Sequence, residues 1–397
     1  MNRTEEINRS STLYSSTLLI GVSYLVYNML PIILKSASDS LGFNEQQIGY
    51  LGSAYMAGSA LSNIAAVFWV RRLNWRNTVA INTLLVCICY IFAGQSQYHS
   101  LLTLLFLIGV SNSAIVSCIY TLMGDMDKSD KAFGYGIGVQ VVLAGLGSFL
   151  LPLFVIPNWG FQGVAMALAI TALLTLPCLL WLPKAGHNID SLPSKNLSTS
   201  QSRLKPHTVM IWGFIGIFVY FSGQSGIWAF FGKIGGDGGL SDLELGSIFG
   251  TTLIFSGVGG FLSGWFSAKF DRRLLISGAI FTGILALVLL MMPLGKTYWA
   301  FTVSFFLFCV SWNFIMPFLM TVVTEGDVEG KFTPLIPACQ LMGSVVGPAL
   351  SGHLIVDGSY DYVYALAISS VLICAFIFVS IDTMSREKTS LTLSTSH

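Results

Sequence analysis

Long apolar runs separated by short polar turns dominate this chain. Twelve runs stand out, at roughly 14–34, 46–70, 76–96, 98–124, 131–156, 163–183, 208–232, 242–268, 273–294, 297–323, 332–356 and 361–382. As helices, each is long enough to cross a hydrocarbon core of about 30 Å. The one long polar stretch, 184–207, is rich in Ser, Pro and Lys and has the composition of a flexible linker. The pattern predicts an all-α integral membrane protein with twelve transmembrane helices in two pseudo-symmetric six-helix bundles. Residues 1–183 form the first bundle, 184–207 a cytoplasmic linker, and 208–397 the second bundle with a short cytoplasmic tail.

The second half of the chain echoes the first. Asp125, Asp127, Lys131, Gln140 and Gly147 recur half a chain later as Glu325, Asp327, Lys331, Gln340 and Gly347. Both sets begin where one apolar run ends in a charged turn and continue into the next run. Lys35, closing the first run, has its counterpart in Lys233, closing the seventh. Such duplication in a membrane chain points to a transporter built from two similar halves, with its substrate site between them.

Charge then gives the orientation. With both termini in the cytoplasm, all of the 20 lysines and arginines except Lys35, Lys233 and Lys296 fall on the inner side. That is a strong positive-inside bias. Charged residues make up only 10% of the chain and hydrophobic ones 54%, against about 25% charged in a soluble domain. A net charge of +1 offers no basic field for nucleic acid. The seven cysteines all fall inside apolar runs, and their odd number argues against a disulfide framework. The polar start leads into a spanning run with no small-residue cleavage site, so no cleavable leader is expected. No nucleophile–base pair, metal cluster or phosphate loop is apparent, and neither enzyme activity, cofactor nor metal is expected.

The turn after the second run reads Arg71-Arg72-Leu73-Asn74-Trp75-Arg76. The segment ending the eighth reads Gly264-Trp265-Phe266-Ser267-Ala268-Lys269-Phe270-Asp271-Arg272-Arg273. With the six-plus-six layout, these segments resemble the signature loops of the major facilitator superfamily, roughly Gly-x-x-x-Asp-Arg-x-Gly-Arg-Arg/Lys. Ala268 replaces the usual acid in the second copy. In the first, Val67 takes the glycine position and Arg71 the acidic one. The resemblance implies alternating access and a loop that latches the cytoplasmic side through Arg72, Arg76, Asp271, Arg272 and Arg273. The alternative is that these residues only set topology. The eleventh run carries Gly343, Gly347, Pro348 and Gly352, similar to a Gly-Pro motif that the family places on its fifth helix and associates with exchangers. Close helix packing explains the same glycines equally well.

Physical argument adds two sets of candidates. Asp125, Asp127, Glu325 and Asp327 end helices, where a carboxylate meets the negative end of the helix dipole and needs a cation. Lys131 and Lys331, or Arg72 and Arg273 across the bundle, are candidate partners in inner-gate ion pairs. Polar and aromatic residues at mid-membrane depth are candidates for the substrate: Tyr24, Tyr27, Asn28, Asn112, Gln140, Tyr220, Gln224, Trp228, Trp312, Asn313 and Gln340. An amide in hydrocarbon needs a partner, either a ligand or another helix. No Asp, Glu, Arg or Lys occupies the middle third of any run. His353, four residues before Asp357 in the eleventh run, is the deepest ionisable group; the pair is the candidate for proton coupling, the alternative being a histidine–aspartate cap in the outer vestibule with no coupling role.

The expectation is secondary active or facilitative transport of a small, neutral or weakly polar organic solute across the inner membrane. The partners are that solute, protons as a candidate coupling ion, and lipid; a monomer is expected. A proton-coupled exporter of lipophilic compounds, and a membrane sensor or assembly factor without transport, stay open as other readings.

Overall fold

A computed structural model of the chain describes residues 3–127, 129–184, 206–256, 258–267, 269–292, 295, 297–326 and 335–394. Fifteen α-helices run in the order α1 Arg3–Ile7, α2 Ser10–Ser23, α3 Leu25–Leu41, α4 Glu45–Trp69, α5 Trp75–Ala93, α6 Tyr98–Gly124, α7 Ser129–Leu150, α8 Ile156–Leu173, α9 Pro206–Asp237, α10 Asp242–Ser256, α11 Val258–Ser267, α12 Arg272–Met291, α13 Tyr298–Gly326, α14 Ile336–Leu354 and α15 Asp361–Ser394. The described residues contain no strand, only one isolated bridge between Val356 and Ser359. The chain forms two compact units, residues 1–193 with 228–254, and residues 194–227 with 255–397.

Among the described residues, 9 helical stretches are long and apolar enough to cross a membrane. The difference from the twelve predicted runs arises at three places. The fifth and sixth runs merge into one helical stretch, Ala132–Trp181. A π-helical turn at Leu151–Val155 bridges α7 and α8, and the chain reverses at Gly160, whose φ of 52° suits a residue without Cβ. In the eighth run the described residues form α10 and α11 on either side of residue 257, and neither described stretch is by itself as long as a span. The eleventh, α14, is a helix of 19 residues that carries Gln, His and several Gly and Ser and is not among the nine. The first run extends past Lys35 to Leu41, where Gly42 closes the helix in the left-handed conformation.

The helices are apolar on both faces, as lipid requires. On α5, Val79, Thr83, Val86 and Tyr90 are buried, while Ile81, Leu84, Ile88 and Phe92 stand exposed on the opposite side. Serines and threonines turn their hydroxyls back on their own helices: Thr17 to the Leu13 carbonyl (2.7 Å), Thr121 to Ser117 (2.7 Å), Ser225 to Phe221 (2.6 Å). These three hydroxyls are thereby satisfied in an apolar setting.

In the first unit, α4 and α6 cross closely. A Cβ on Gly58 would collide with the Phe106 carbonyl, and one on Gly109 with the Tyr55 carbonyl. Ser59 Oγ donates to the Gly109 carbonyl at 3.3 Å. One turn further, Asn63 Nδ2 donates to Ser113 Oγ at 3.2 Å, and Ser117 Oγ donates to Asn63 Oδ1 at 3.3 Å. Beyond these polar contacts lies a core of Ile20, Trp75, Ile115, Ile119, Leu122 and Met123.

In the second unit, the glycines of α14 pack onto α9. A Cβ on Gly343 would meet the Phe218 carbonyl, and one on Gly347 the Ser222 carbonyl. Close packing is therefore the observed role of these two glycines. Ile217, Phe221, Ile276, Phe318, Leu319 and Phe378 form the core there.

Candidate functional site

Mid-depth polar groups in the first unit gather around Asn112, halfway along α6 and 5% exposed. The α4–α6 crossing brings Tyr55 opposite it. The Tyr55 and Tyr90 side chains lie beside it. Among the described residues its Nδ2 is buried without a partner, as are Asn28 Nδ2 and Ser111 Oγ. An amide nitrogen donates two protons, so Asn28 and Asn112 each hold unused donor capacity where desolvation makes it costly. Tyr24 and Tyr27 stack edge to face at 6.1 Å, and Tyr24 meets Tyr120 at 6.2 Å. Every polar group here is uncharged.

Trp228 joins this unit through a backbone defect. Pro31 has no N–H, so the Tyr27 carbonyl, four residues earlier in α3, loses its helical partner. The Trp228 indole N–H donates to that carbonyl at 3.3 Å. The seam continues along both helices, since a Cβ on Gly232 would meet the Pro31 carbonyl and one on Gly236 the Lys35 side chain. Gln140 is half-buried on α7, with no side-chain partner among the described residues.

The mid-depth candidates in the second unit are already engaged. Gln224, 3% exposed, donates from Nε2 to the Ala367 carbonyl at 3.2 Å. Asn313 Nδ2 donates to the Ser256 carbonyl at 3.2 Å. Gln340 Nε2 lies 3.7 Å from Met316 Sδ, a weak contact. Trp312 sits in an aromatic group with Tyr220 at 6.1 Å, Phe221 at 5.3 Å and Phe308 at 5.8 Å. Gln224 and Asn313 thus join helices together, while Trp312 and Tyr220 offer aromatic faces.

Charges lie at the helix ends. Arg71 holds Asp125 with two hydrogen bonds, Nη1 to Oδ2 at 2.7 Å and Nη2 to Oδ1 at 2.9 Å. The carboxylate side chain is 2% exposed and the guanidinium side chain 25%. Arg71, absent from the predicted gate set, holds Asp125 where Arg72 was a candidate. Arg72 is exposed and pairs with no side chain among the described residues. The missed signal was the inverted charge in the signature loop: a base in the acid's position needs an acid nearby.

Arg76 points elsewhere. Its Nε and Nη2 donate to the Leu182 carbonyl at 3.0 and 2.6 Å, and Nη2 lies 3.8 Å from Glu6. It ties the start of α5 to the end of the sixth run. The Asp127 N–H is taken by Asn8 Oδ1 at 2.8 Å. Asp271 caps α12, accepting from the Arg273 N–H at 3.0 Å, with Arg272 and Arg273 half-buried in its first turn. Lys269 lies over the Trp265 ring at 3.6 Å. Lys131 opens α7 and Glu325 ends α13, with side chains that are not described; Asp327 and Lys331 lie outside the described residues.

The expected one-turn spacing of His353 and Asp357 does not exist. The α14 helix ends at Leu354, and Asp357 and Gly358 have φ of 51° and 74°. Two successive positive φ angles with Asp-Gly at the centre mark a tight reverse turn. Both residues are exposed.

At the far end of α4 from Arg71, Lys35 Nζ contacts Asp39 and Asp242, each at 2.6 Å. Lys233 Nζ lies 3.4 Å from Glu45 and 3.8 Å from Asp237. The lysine side chains are only 15% and 18% exposed.

Comparison with known proteins adds the family. A family model described as Major Facilitator Superfamily matches residues 17–327 and 214–393. The chain belongs to the major facilitator superfamily. No curated protein sequence matches it. Solved structures of similar fold include the nucleoside transporter NupG, with 15% identity, a TM-score of 0.70, and coverage of 96% of this chain and 99% of that one. The peptide transporter POT in complex with sulfate has 14% identity and a TM-score of 0.74, covering 97% of this chain and 99% of that one. A bacterial homologue of the human lysosomal transporter Spinster has 14% identity and a TM-score of 0.66, covering 95% of each chain. Identities this low establish the fold alone. As a major facilitator, the chain is an all-helical, multi-pass membrane transport protein.

Proposed function

We propose that this major facilitator carries a small, uncharged, oxygen-bearing organic solute across the inner membrane by alternating access, with both termini in the cytoplasm. One observation supports the substrate class. The mid-depth polar groups described in the first unit are neutral, and Asn28 and Asn112 keep buried amide donors without partners among the described residues. A ligand with carbonyl or hydroxyl oxygens would satisfy them; a bare ion would find no opposite charge among the described mid-depth residues. Tyr27, next to Asn28 in α3, and Trp228, bonded to the Tyr27 carbonyl, supply aromatic faces. Tyr220 and Trp312, with the less engaged Gln140 and Gln340, are further candidate contacts. Gln224 and Asn313 serve as helix ties.

The charges fit a gating role. Arg71–Asp125 stands at the end of the first unit proposed to face the cytoplasm; Arg72, Arg76, Asp127, Lys131, Asp271, Arg272, Arg273, Glu325, Asp327 and Lys331 are the other gate candidates. Among the described residues no acid lies at mid-depth as a proton switch, so coupling is assigned to His353, Asp357 or the gate carboxylates.

The test is a thermal-stabilisation screen of purified protein against sugars, nucleosides, neutral amides, carboxylates and organic cations. Flux of any hit into liposomes is then measured with and without a pH gradient. Neutral oxygen-bearing solutes should stabilise the protein, and Asn28→Leu with Asn112→Leu should abolish that effect. Stabilisation by charged solutes alone, or binding that survives the double replacement, overturns the site.

A further inference from the structure

The four contacts around Lys35 and Lys233 follow one pattern twice. In the first repeat, Lys35 is followed four residues on by Asp39, and α4 then opens with Asn44-Glu45-Gln46-Gln47. In the second, Lys233 is followed by Asp237, and α10 opens with Ser241-Asp242-Leu243-Glu244. Both openings are reciprocal capping boxes. Asn44 Oδ1 accepts from the Gln47 N–H at 2.9 Å and Gln47 Oε1 from the Asn44 N–H at 3.0 Å. Ser241 Oγ accepts from the Glu244 N–H at 3.3 Å and Glu244 Oε2 from the Ser241 N–H at 2.8 Å. Glu45 and Asp242 are therefore equivalent: each is the first helical residue, fixed by its box and favoured by the helix dipole.

The lysines exchange these acids. Lys35 of the first repeat reaches Asp242 of the second, and Lys233 of the second reaches Glu45 of the first. Each also keeps an acid one turn along its own helix, Asp39 or Asp237. We infer that Lys35 and Lys233 form a reciprocal, releasable latch that holds this end of α3, α4, α9 and α10 closed. The inference rests on the alternating-access reading for its purpose.

Release explains the double partnership. A half-buried ammonium stripped of its only acid is costly. Here, parting α3 from α10 and α9 from α4 breaks Lys35–Asp242 and Lys233–Glu45 but leaves Lys35–Asp39 and Lys233–Asp237 intact, because those lie within single helices. Each lysine holds both acids when closed and keeps the one on its own helix when open. The closed state is favoured without making the open state prohibitive. The Trp228, Gly232 and Gly236 seam supplies close packing beside the charges.

The experiment measures distance and needs no substrate, so it stands apart from the fate of the proposed solute. Spin labels are placed at Gln46→Cys and Leu243→Cys, both exposed. The native cysteines are buried apart from the half-buried Cys339, replaced by Ser in this background. Double electron–electron resonance in nanodiscs reads the ratio of open to closed distances. Lys35→Gln with Lys233→Gln should raise that ratio about tenfold, each pair contributing about threefold. Charge exchange by Lys35→Glu with Asp242→Lys should return it toward wild type. Raising salt from about 0.15 to about 1 M, which shortens the Debye length from about 8 to about 3 Å, should open the wild type and leave the neutral double variant unmoved. An unchanged distribution in the neutral variant, an exchange variant no more closed than the single Lys35→Glu variant, or a wild type indifferent to salt overturns the latch. The salt series on wild type decides the matter even where a variant does not fold.

Discussion

Replacing Arg71 by Gln should destabilise the protein more than any other single neutralisation of a basic residue at that end of the bundle. Asp125 occupies the C-cap of α6 with its side chain 2% exposed. The helix dipole opposes its charge there, and Arg71 answers it with two hydrogen bonds of 2.7 and 2.9 Å. Removing one partner of a buried pair costs about 3–5 kcal/mol; the guanidinium's partial exposure places this case near about 3 kcal/mol. At about 2 °C per kcal/mol for a large chain, the apparent Tm should fall by about 6 °C. The assay is thermal unfolding in detergent at a fixed scan rate, since membrane proteins of this size unfold irreversibly. Asp125→Asn alone should also destabilise. The double variant should recover at least about 1 kcal/mol relative to the sum, because it strands no charge. Arg72→Gln, a change at an exposed side chain, should shift Tm by less than about 1 °C. If Arg71→Gln behaves like Arg72→Gln, or if the two losses simply add, the buried pair does not stabilise this end of the bundle.

Two further outcomes follow from the first unit's helix seams. Gly109→Val places side-chain atoms against the Tyr55 carbonyl, where the obstacle is backbone; it should cost about 1–3 kcal/mol by overpacking and weaken ligand stabilisation by moving Tyr55 from Asn112, whereas unchanged Tm and unchanged ligand response would show that the α4–α6 crossing has slack. Trp228→Phe should cost about 1 kcal/mol through the lost bond to the Tyr27 carbonyl, and less in a Pro31→Ala background, where residue 31 regains an N–H for that carbonyl; equal costs in the two backgrounds, measured as Tm shifts, would refute the proline account.

The residues show where sequence reading succeeds and where it stops. Duplication was visible at Asp125 and Glu325 and at Lys35 and Lys233, because repeated spacing survives in one dimension. The pairing of Arg71 was not, because a charge in an atypical signature position carries no address. Glu45 and Asp242 carry no distinguishing mark in the sequence, because acids are common at helix starts for reasons of the dipole alone. Gln224 and Asn313 read as possible ligand contacts because any amide at mid-depth needs a partner. Only the packed helices reveal that their partners are the Ala367 and Ser256 carbonyls.

Hydropathy, charge asymmetry and internal repetition determined that this chain is a helical membrane protein of duplicated design. Those properties are sums along the chain and need no knowledge of which helix faces which. Tertiary structure decided which amides stay unpartnered, which arginine holds Asp125, and that the two lysines trade acids between repeats. Those choices depend on close approaches at Gly58, Gly109 and Gly232 and on a carbonyl freed by Pro31, where a shift of one ångström makes or breaks a hydrogen bond.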